Sequence, residues 1–293
     1  MSNFRYSMKG RWWKGNTHIH SVVSDGGKTF RELADLYHSA GYDFLFRTDH
    51  WVASDAGADP DSYPILWLDG VELDGADSTG AQYHVVALGT FRGIERGMSL
   101  MQGMEAARAQ GGMLILAHPF WMDNSFEDVL RWPFDGVEVY NHVCRWLNGK
   151  GDGGPYWHAM LSQRPNTLAF SSDDAHISPG HPGWNGGWVM VNAEECTPEA
   201  ILAALKAGEF YSTCGPVIES IEYDGERVSI QCSPVQVARL VGPGPRGART
   251  GSLDGRLLTR ADFEVPQAWK YAYLEIEDEQ GRRAWTNPLF VDQ

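Results

Sequence analysis

The chain of 293 residues has few cysteines, few basic residues and no long apolar run. Its four cysteines, Cys144, Cys196, Cys214 and Cys232, are far apart and form no C-x-x-C pair, so we expect reduced thiols rather than a cysteine zinc site. No stretch approaches about 18 apolar residues, which excludes a membrane-spanning helix. The start of the chain lacks the apolar segment of a signal peptide, so we expect a cytoplasmic protein.

Basic residues are outnumbered, because 24 Lys and Arg stand against 38 Asp and Glu, giving a formal net charge of −14. A chain this acidic has no positive field to displace counterions, so we expect no binding to duplex nucleic acid. Histidine is missing from the last part of the chain, since all ten histidines lie between His18 and His181. Most of the excess carboxylates share that region. Imidazoles and carboxylates together are typical ligands of Zn, Mn or Fe.

The chain has two successive regions with different predicted secondary structure. Residues 1–214 alternate short apolar runs with helical patterns, including a capping box at Thr29 and Glu32 and a helix start at Thr197-Pro198. Such repeats predict an α/β fold with a mainly parallel sheet or barrel that is short of helices. After Gly215-Pro216 only strands and turns remain, so residues 215–293 are predicted to form a small antiparallel, β-sandwich-like domain.

Successive strands of the first region end at a histidine or a carboxylate. The C-terminal ends of strands in parallel α/β folds meet in one crevice, so these side chains should converge. His18 and His20 are two apart and point to one face of a strand. The series predicts a multinuclear metal site. Its motifs are His18-Ile19-His20, Asp25, Thr48-Asp49-His50, Gly70-Val71-Glu72, His84, His118-Pro119 and Asp173-Asp174-Ala175-His176.

These motifs, in this order, resemble the PHP (polymerase and histidinol phosphatase) family over residues 13–214. The resemblance implies a distorted (β/α)7 barrel with two or three divalent metal ions. Matched residue by residue, it implies three ligand groups. They are His18, His20, Glu72 and Asp174 for the first ion, the bridging Glu72 with His84 and His118 for the second, and Asp25, His50 and His176 for the third.

The sequence departs from the family pattern at several positions. Asp25 stands where many relatives have histidine, and Asp173 stands before the aspartate that the Asp-x-His spacing favours, Asp174. Trp51 follows the T-D-H motif and would give the pocket an aromatic wall. The segment Arg283-Ala284-Trp285-Thr286-Asn287-Pro288 resembles the carbaryl-hydrolase-like metallohydrolase branch of the family.

Other side chains are candidates for catalysis. Asp49 would orient the imidazole of His50, or only cap its strand. His181 lies in the Gly- and Pro-rich loop 179–187, which is a candidate lid with His181 as general acid. Arg47 and Arg145 are candidates to clamp an anion, with ordinary surface ion pairs as the alternative.

Asn141 and His142 end the sixth predicted strand, at the mouth of the expected site. They are candidates for contact with substrate, and the alternative is that they satisfy loop backbone. Trp51, as the expected aromatic wall, and Arg145 complete the predicted substrate-binding set.

The predicted function is a metal-dependent hydrolase in which a metal-bound hydroxide attacks the substrate. A small phosphate ester is the first choice, because the family resemblance favours it and clustered cations suit an anionic ester. A carboxylic, carbamate or amide ester is the second, because of the C-terminal resemblance and the scarcity of basic residues. A non-catalytic metal-binding module that docks a partner is the third alternative. The sequence predicts no oligomeric state.

Overall fold

The structure of the protein is a computed structural model that describes residues 3–59, 61–251 and 254–291. The first part of the chain alternates strands and helices. Its elements are β1 (Asn3–Phe4), β2 (Arg11–Asn16), α1 (Phe30–Ser39), β3 (Phe44–Arg47), β4 (Leu66–Ala76), β5 (Gln82–Leu88), α2 (Leu100–Ala109), β6 (Met113–Leu116), α3 (Phe126–Arg131), β7 (Gly136–Asn141), α4 (His142–Asn148), α5 (Gly154–Gln163), β8 (Leu168–Ser172), β9 (Trp188–Ala193), α6 (Pro198–Ala207) and β10 (Phe210–Thr213).

The last part of the chain consists of strands. They are β11 (Ile218–Tyr223), β12 (Arg227–Val235), β13 (Val237–Val241), β14 (Gly247–Gly251), β15 (Leu258–Glu264), β16 (Tyr273–Glu277), β17 (Arg283–Thr286) and β18 (Phe290–Val291). No helix among the described residues is both long and apolar enough to cross a membrane.

Local capping chemistry determines where the predicted helices begin. The side chain of Thr29 accepts a hydrogen bond from the backbone N–H of Glu32, and the carboxylate of Glu32 accepts one from the N–H of Thr29. Ser99 starts α2 with the same capping box, and Thr197 caps α6 directly before its proline. These bonds satisfy backbone donors that have no partner inside the helix. The predicted starts of α1 and α6 are therefore confirmed.

One large mixed sheet runs through the molecule in the order β14-β13-β16-β17-β10-β9-β2-β3-β4-β5-β6-β7-β8. The expectation of a mainly parallel sheet is wrong, because β5 is antiparallel to both β4 and β6, and β9 is antiparallel to both β2 and β10. A turn braced by Asp77 joins β4 to β5 directly, without a crossover helix. The architecture is thus α/β with a mixed sheet. Among the described residues no ladder closes β8 onto β9.

The C-terminal strands form two layers. β17 pairs antiparallel with β10, so β17, β16, β13 and β14 continue the large sheet. The second layer is the three-stranded sheet β11-β12-β15. Buried apolar side chains from both layers, such as Ile230, Phe263, Leu240 and Leu274, pack between them. The arrangement is sandwich-like, and one of its layers belongs to the same sheet as the first region. The boundary between residues 214 and 215 stays a prediction.

Isolated β-bridges continue the strand pairing just beyond the ends of the strands that carry the predicted site. The strand expected to carry His18 and His20 ends at Asn16, and Ile19 then forms an isolated parallel bridge with Ala175. This bridge places His18 and His20 beside the Asp174–His176 segment. A similar bridge places His50 beside Glu72.

Candidate metal centre

Glu72 lies at the centre of the predicted ligands and is 1% exposed. Its Oε2 atom lies 3.1 Å from Nε2 of His18 and 3.1 Å from Nε2 of His20. Its Oε1 atom lies 2.8 Å from Nδ1 of His84 and 3.5 Å from Nε2 of His118. One buried carboxylate therefore faces imidazoles on two sides, which is the arrangement that a bridging ligand requires.

Asp174 completes the first predicted group. Its Oδ1 atom lies 3.3 Å from Nε2 of His18 and 3.1 Å from Nε2 of His20. The ligand atoms of His18, His20, Glu72 and Asp174 all lie within 4.8 Å of one another, and all four residues are buried. The structure thus brings the first predicted group together.

The third predicted group also comes together, with His20 added to it. Asp25 Oδ2 lies 3.2 Å from Nε2 of His176 and 3.8 Å from Nε2 of His50. The side chain of Asp25 is 52% exposed, so this end of the cluster faces solvent. Nε2 of His50 also lies 3.3 Å from Glu72 Oε2, so the first and third groups are contiguous.

The second predicted group is arranged differently in part. His84 and Glu72 converge with His50, whereas His118 converges with Asp174 and Cys144. Both His84 and His118 still lie against the same oxygen of Glu72. Sequence reasoning missed Cys144, because a single cysteine inside the pattern of α4 carries no motif.

Several imidazoles are held by an acceptor at Nδ1, so that Nε2 faces the cluster. Nδ1 of His18 lies 2.8 Å from Glu138 Oε1, and Nδ1 of His50 lies 2.9 Å from Asp74 Oδ1. In a neutral imidazole these contacts place the proton on Nδ1 and leave a lone pair on Nε2, as a metal ligand requires. The donor atoms therefore fit divalent cations.

Glu138 is a second residue that sequence reasoning missed as part of the site. It is 2% exposed, and its carboxylate accepts hydrogen bonds from Ser172 Oγ at 2.5 Å, Asn141 Nδ2 at 2.8 Å and the backbone N–H of His118 at 2.9 Å. Burying a carboxylate in a strand is costly unless it is paired. The sequence feature that could have identified Glu138 is a glutamate inside the otherwise apolar run Gly136–Tyr140.

The charges in the cluster are strongly coupled. Burial lowers the pKa of His20, but the carboxylates of Asp174 and Glu72 outweigh it and raise that pKa to about 10. Burial raises the pKa of Glu72, but the neighbouring imidazoles, His18 first, hold it well below its usual range. Glu72 Oε2 is buried, and although two ring nitrogens lie 3.1 Å away, no described residue makes a hydrogen bond of acceptable geometry to it. A buried carboxylate oxygen so placed fits a cation.

Asp49 lies beside the cluster without contacting the ring of His50. Its carboxylate accepts hydrogen bonds from the backbone N–H and the hydroxyl of Ser21, both at 2.8 Å, and from the hydroxyl of Ser24 at 2.6 Å. These bonds fold the loop that carries Asp25. The structure therefore places Asp49 as a support of this loop, and a role in catalysis stays a prediction.

Two predicted residues point away from the cluster. Trp51 has a left-handed backbone (φ 55°) and packs in the apolar core against Gly103 and Leu73, so it forms no wall of the cavity. Arg47 pairs with Asp59 at 2.5 Å, and its guanidinium lies over the rings of Phe30, Trp67 and Tyr63. Neither lines the cavity at the cluster.

The predicted substrate-binding residues differ in their surroundings. Asn141 is buried and donates from Nδ2 to Glu138 Oε2 at 2.8 Å and to Asp174 Oδ2 at 3.2 Å. The ring of His142 lies under the loop at Gly186, and Arg145 is exposed on α4. Asn141 thus holds two carboxylates of the site, while His142 and Arg145 do not line the cavity.

A cavity of about 340 Å³ opens onto the cluster. Besides the predicted ligands it is lined by Trp121, Val143, Cys144, Leu147, Ser178 and His181. Trp121 supplies the aromatic wall, with its ring edge-on to His118 at a centroid distance of 5.3 Å. The ring of His181 lies 5.5 Å from that of His176. No Lys or Arg is among the described residues that line this cavity.

A larger and more open cavity, of about 890 Å³, lies at the N-terminal ends of β6 and β8. It is lined by cationic side chains such as Arg108 and Lys206 and contains none of the predicted site residues. The smaller cavity is therefore the candidate site.

No protein-family model matches the chain, and no curated protein matches it. Its fold has solved counterparts. A two-domain protein from Bacteroides vulgatus ATCC 8482, described as containing a predicted PHP-like metal-dependent phosphoesterase, aligns over 95% of each chain at 18% identity and a TM-score of 0.53. This chain therefore shares its fold with that protein. The assignment to the carbaryl-hydrolase-like branch stays a prediction.

Two further structures align over a smaller part of the chain. A candidate metal-dependent phosphoesterase from Bifidobacterium adolescentis covers 58% of this chain and 90% of its own, at 16% identity and a TM-score of 0.44. An amidohydrolase from Chromobacterium violaceum, with bound sulfate and no metal, covers 57% of this chain and 88% of its own, at 18% identity and a TM-score of 0.42.

Proposed function

We infer that this chain is a metal-dependent hydrolase that binds two or three divalent ions around Glu72. The observation that carries the proposal is the buried carboxylate of Glu72, whose two oxygens face separate sets of imidazoles. Divalent ions bound there would lower the pKa of a water ligand and stabilise the negative charge that develops during hydrolysis. The donor set of imidazoles and carboxylates suits Zn, Mn or Fe.

The chain itself supplies orientation and an apolar wall. Glu138 and Asp74 hold the rings of His18 and His50 through Nδ1. Trp121 and Leu147 line the cavity, where they would exclude water from a bound substrate. His181 lies beside the cluster, and its imidazole is in a position to donate a proton to a leaving group.

A small phosphate ester is the substrate class that we favour. Divalent ions held by Glu72, Asp174 and Asp25 would bind the oxygens of an anionic ester directly and stabilise their charge. The two-domain protein that shares the fold is described as containing a phosphoesterase. A cavity of about 340 Å³ suits a small molecule rather than a polymer.

A carboxylic, carbamate or amide ester is the second candidate, and one observation favours it. Arg47 and Arg145, the predicted anion clamps, do not line the cavity, and neither does any other Lys or Arg among the described residues. A phosphate dianion would therefore be balanced by the metal ions alone. A neutral acyl substrate needs no such clamp and would use the apolar wall.

The test is hydrolysis by metal-free protein reloaded with Zn²⁺, Mn²⁺ or Fe²⁺. A panel of p-nitrophenyl phosphate, p-nitrophenyl acetate and an aryl carbamate separates the two substrate classes. We expect Glu72→Gln to lower turnover by about 100-fold or more, because removing a bridging charge disturbs two ion sites. The matched control is Glu275→Gln, in β16 and outside the cavity, which should keep wild-type turnover.

The same experiment addresses the non-catalytic alternative. If the reloaded protein binds metal but hydrolyses no member of either class, the protein is a metal-binding module. If metal-free protein keeps full activity, the proposal of a metal-dependent reaction is wrong.

A further inference from the structure

One side chain at the cluster has no role in the reaction proposed above, the thiol of Cys144. It lies on α4, is 2% exposed and lines the cavity. Its Sγ atom, a ring nitrogen of His118 and a carboxylate oxygen of Asp174 all lie within 4.8 Å of one another. The sulfur is therefore within the distance range that separates ligands of one metal ion.

His118 is the second member of this group. Its imidazole is 4% exposed, and its Nε2 atom lies 3.5 Å from Glu72 Oε1 and 3.6 Å from Asp174 Oδ2. Its Nδ1 atom has no hydrogen-bond partner among the described residues, so no bond at that nitrogen fixes the ring. A cation bound at Nε2 would supply the missing constraint.

The structure also holds the thiol and the carboxylate in a fixed relation. The side chain of Asn141 accepts a hydrogen bond from the backbone N–H of Cys144 at 2.9 Å through Oδ1. Through Nδ2 it donates to Asp174 Oδ2 at 3.2 Å. One buried amide therefore sets the positions of both groups, and the cysteine lies at the start of α4, where Asn141 is the cap.

We propose that Cys144 is a metal ligand, and that with His118 and Asp174 it forms a position selective for thiophilic cations. The proposal rests on the metal-dependent function above. On binding, the sulfur would coordinate the cation as a thiolate, and the thiol proton would pass to solvent. Thiolate ligands favour Zn²⁺ and Cd²⁺ over Mn²⁺ and Mg²⁺. The mixed S, N, O donor set therefore favours zinc at this end of the cluster.

Cobalt substitution tests the sulfur ligand directly, because a thiolate bound to Co²⁺ gives a sulfur-to-metal charge-transfer band that nitrogen and oxygen ligands do not give. Metal-free wild-type protein is loaded with Co²⁺, and bound cobalt is measured by elemental analysis. We expect a charge-transfer band in the near ultraviolet that is lost in Cys144→Ser, while the visible ligand-field bands of cobalt remain. The matched control, Cys196→Ser, should keep the band.

A variant that leaves the site intact covers the case in which Cys144→Ser does not fold. In Cys196→Ala with Cys214→Ala and Cys232→Ala, only Cys144 remains, and we expect the band at wild-type intensity. Loss of the band in this triple variant, or its persistence in a folded Cys144→Ser protein, would overturn the assignment.

The cobalt data also separate this proposal from the proposed function. Protein that binds cobalt without the band retains a metal centre but has no thiolate ligand. Protein that binds no cobalt has neither a metal centre nor a thiolate ligand. Metal affinity is an independent readout. Cys144→Ser should weaken Cd²⁺ binding by about tenfold or more, because losing even a residue that only orients a ligand has an effect of that size. Mn²⁺ binding should be unchanged. Equal loss for both ions would contradict selectivity.

Discussion

At the scale of single residues, the cluster depends on carboxylates with separate tasks. Glu72 faces the imidazoles on both sides, whereas Glu138 lies behind His18 and accepts from Nδ1 at 2.8 Å. The Glu138 carboxylate also accepts hydrogen bonds from Ser172, Asn141 and the backbone N–H of His118. Because every neighbour of Glu138 donates, only a group with two acceptor oxygens satisfies them all.

Glu138→Gln should therefore weaken metal binding without removing a ligand. The amide NH₂ of glutamine would face donors, so the ring of His18 loses its fixed orientation. We expect metal affinity to fall by about 10- to 100-fold, the usual effect of losing an orienting partner. Isothermal titration of metal-free protein measures it, with Glu275→Gln as control. Unchanged affinity in folded Glu138→Gln protein would show that this carboxylate does not orient the ligand.

At the scale of elements, the segment between β8 and β9 replaces a crossover helix and carries His181 over the cluster. Asp173 anchors it, because its buried carboxylate accepts hydrogen bonds from the backbone N–H groups of Asn185, Gly186 and Gly187 at 2.7–2.9 Å. The hydroxyl of Tyr37 donates to the same carboxylate at 2.7 Å. Asp173 thus holds the loop, and its neighbour Asp174 faces the cluster.

Gly186→Ala tests whether the position of this loop matters. A Cβ at Gly186 would lie 2.0 Å from Nδ1 of His142, so the loop or the ring of His142 must shift. We expect turnover to fall by about tenfold or more, since small misplacements of positioning groups are costly, while bound metal is unchanged. Gly180→Ala is the control, because a Cβ there meets no atom within 4 Å. Equal turnover in the two variants would exclude a role for loop position.

Elements formed by local chemistry could be predicted from the sequence, and elements formed by distant pairing could not. The starts of α1 and α6 follow from Thr29 and Thr197, whose caps lie within three residues. The pairing of β10 with β17 was not predicted, because these two strands lie far apart in the chain. Trp51 was assigned to the pocket because a positive φ cannot be read from the motif around it. Strand-end motifs, by contrast, brought the predicted ligands together.

At the scale of the whole molecule, the C-terminal strands share a core with the first region. Trp285 and Tyr273 belong to the same buried apolar cluster as Trp157 and Val139. Asn287 is buried, accepts from the N–H of Ala169 at 2.8 Å and donates to the carbonyl of Phe210 at 3.0 Å. The last strands are therefore structural partners of the first region.

Asn287→Ala should destabilise the protein without changing its kinetics. Removing the amide leaves buried backbone groups without partners, at a cost of about 1–3 kcal/mol in the free energy of unfolding. Urea unfolding measures this, with the exposed Asn166→Ala as control. We expect KM and kcat of the folded fraction to stay at wild-type values, because no described residue beyond His181 lines the cavity. A changed KM at unchanged stability would contradict this division of roles.

The central claim is that Glu72 bridges two metal ions, and anomalous X-ray diffraction from crystals of the zinc-loaded protein tests it most directly. If Glu72 bridges two ions, we expect one anomalous peak between Glu72 Oε2 and the side chains of His18, His20 and Asp174. We expect a second peak between Glu72 Oε1 and the side chains of His84 and His118. A single peak that contacts only one oxygen of Glu72, or no peak at this carboxylate, would contradict the account.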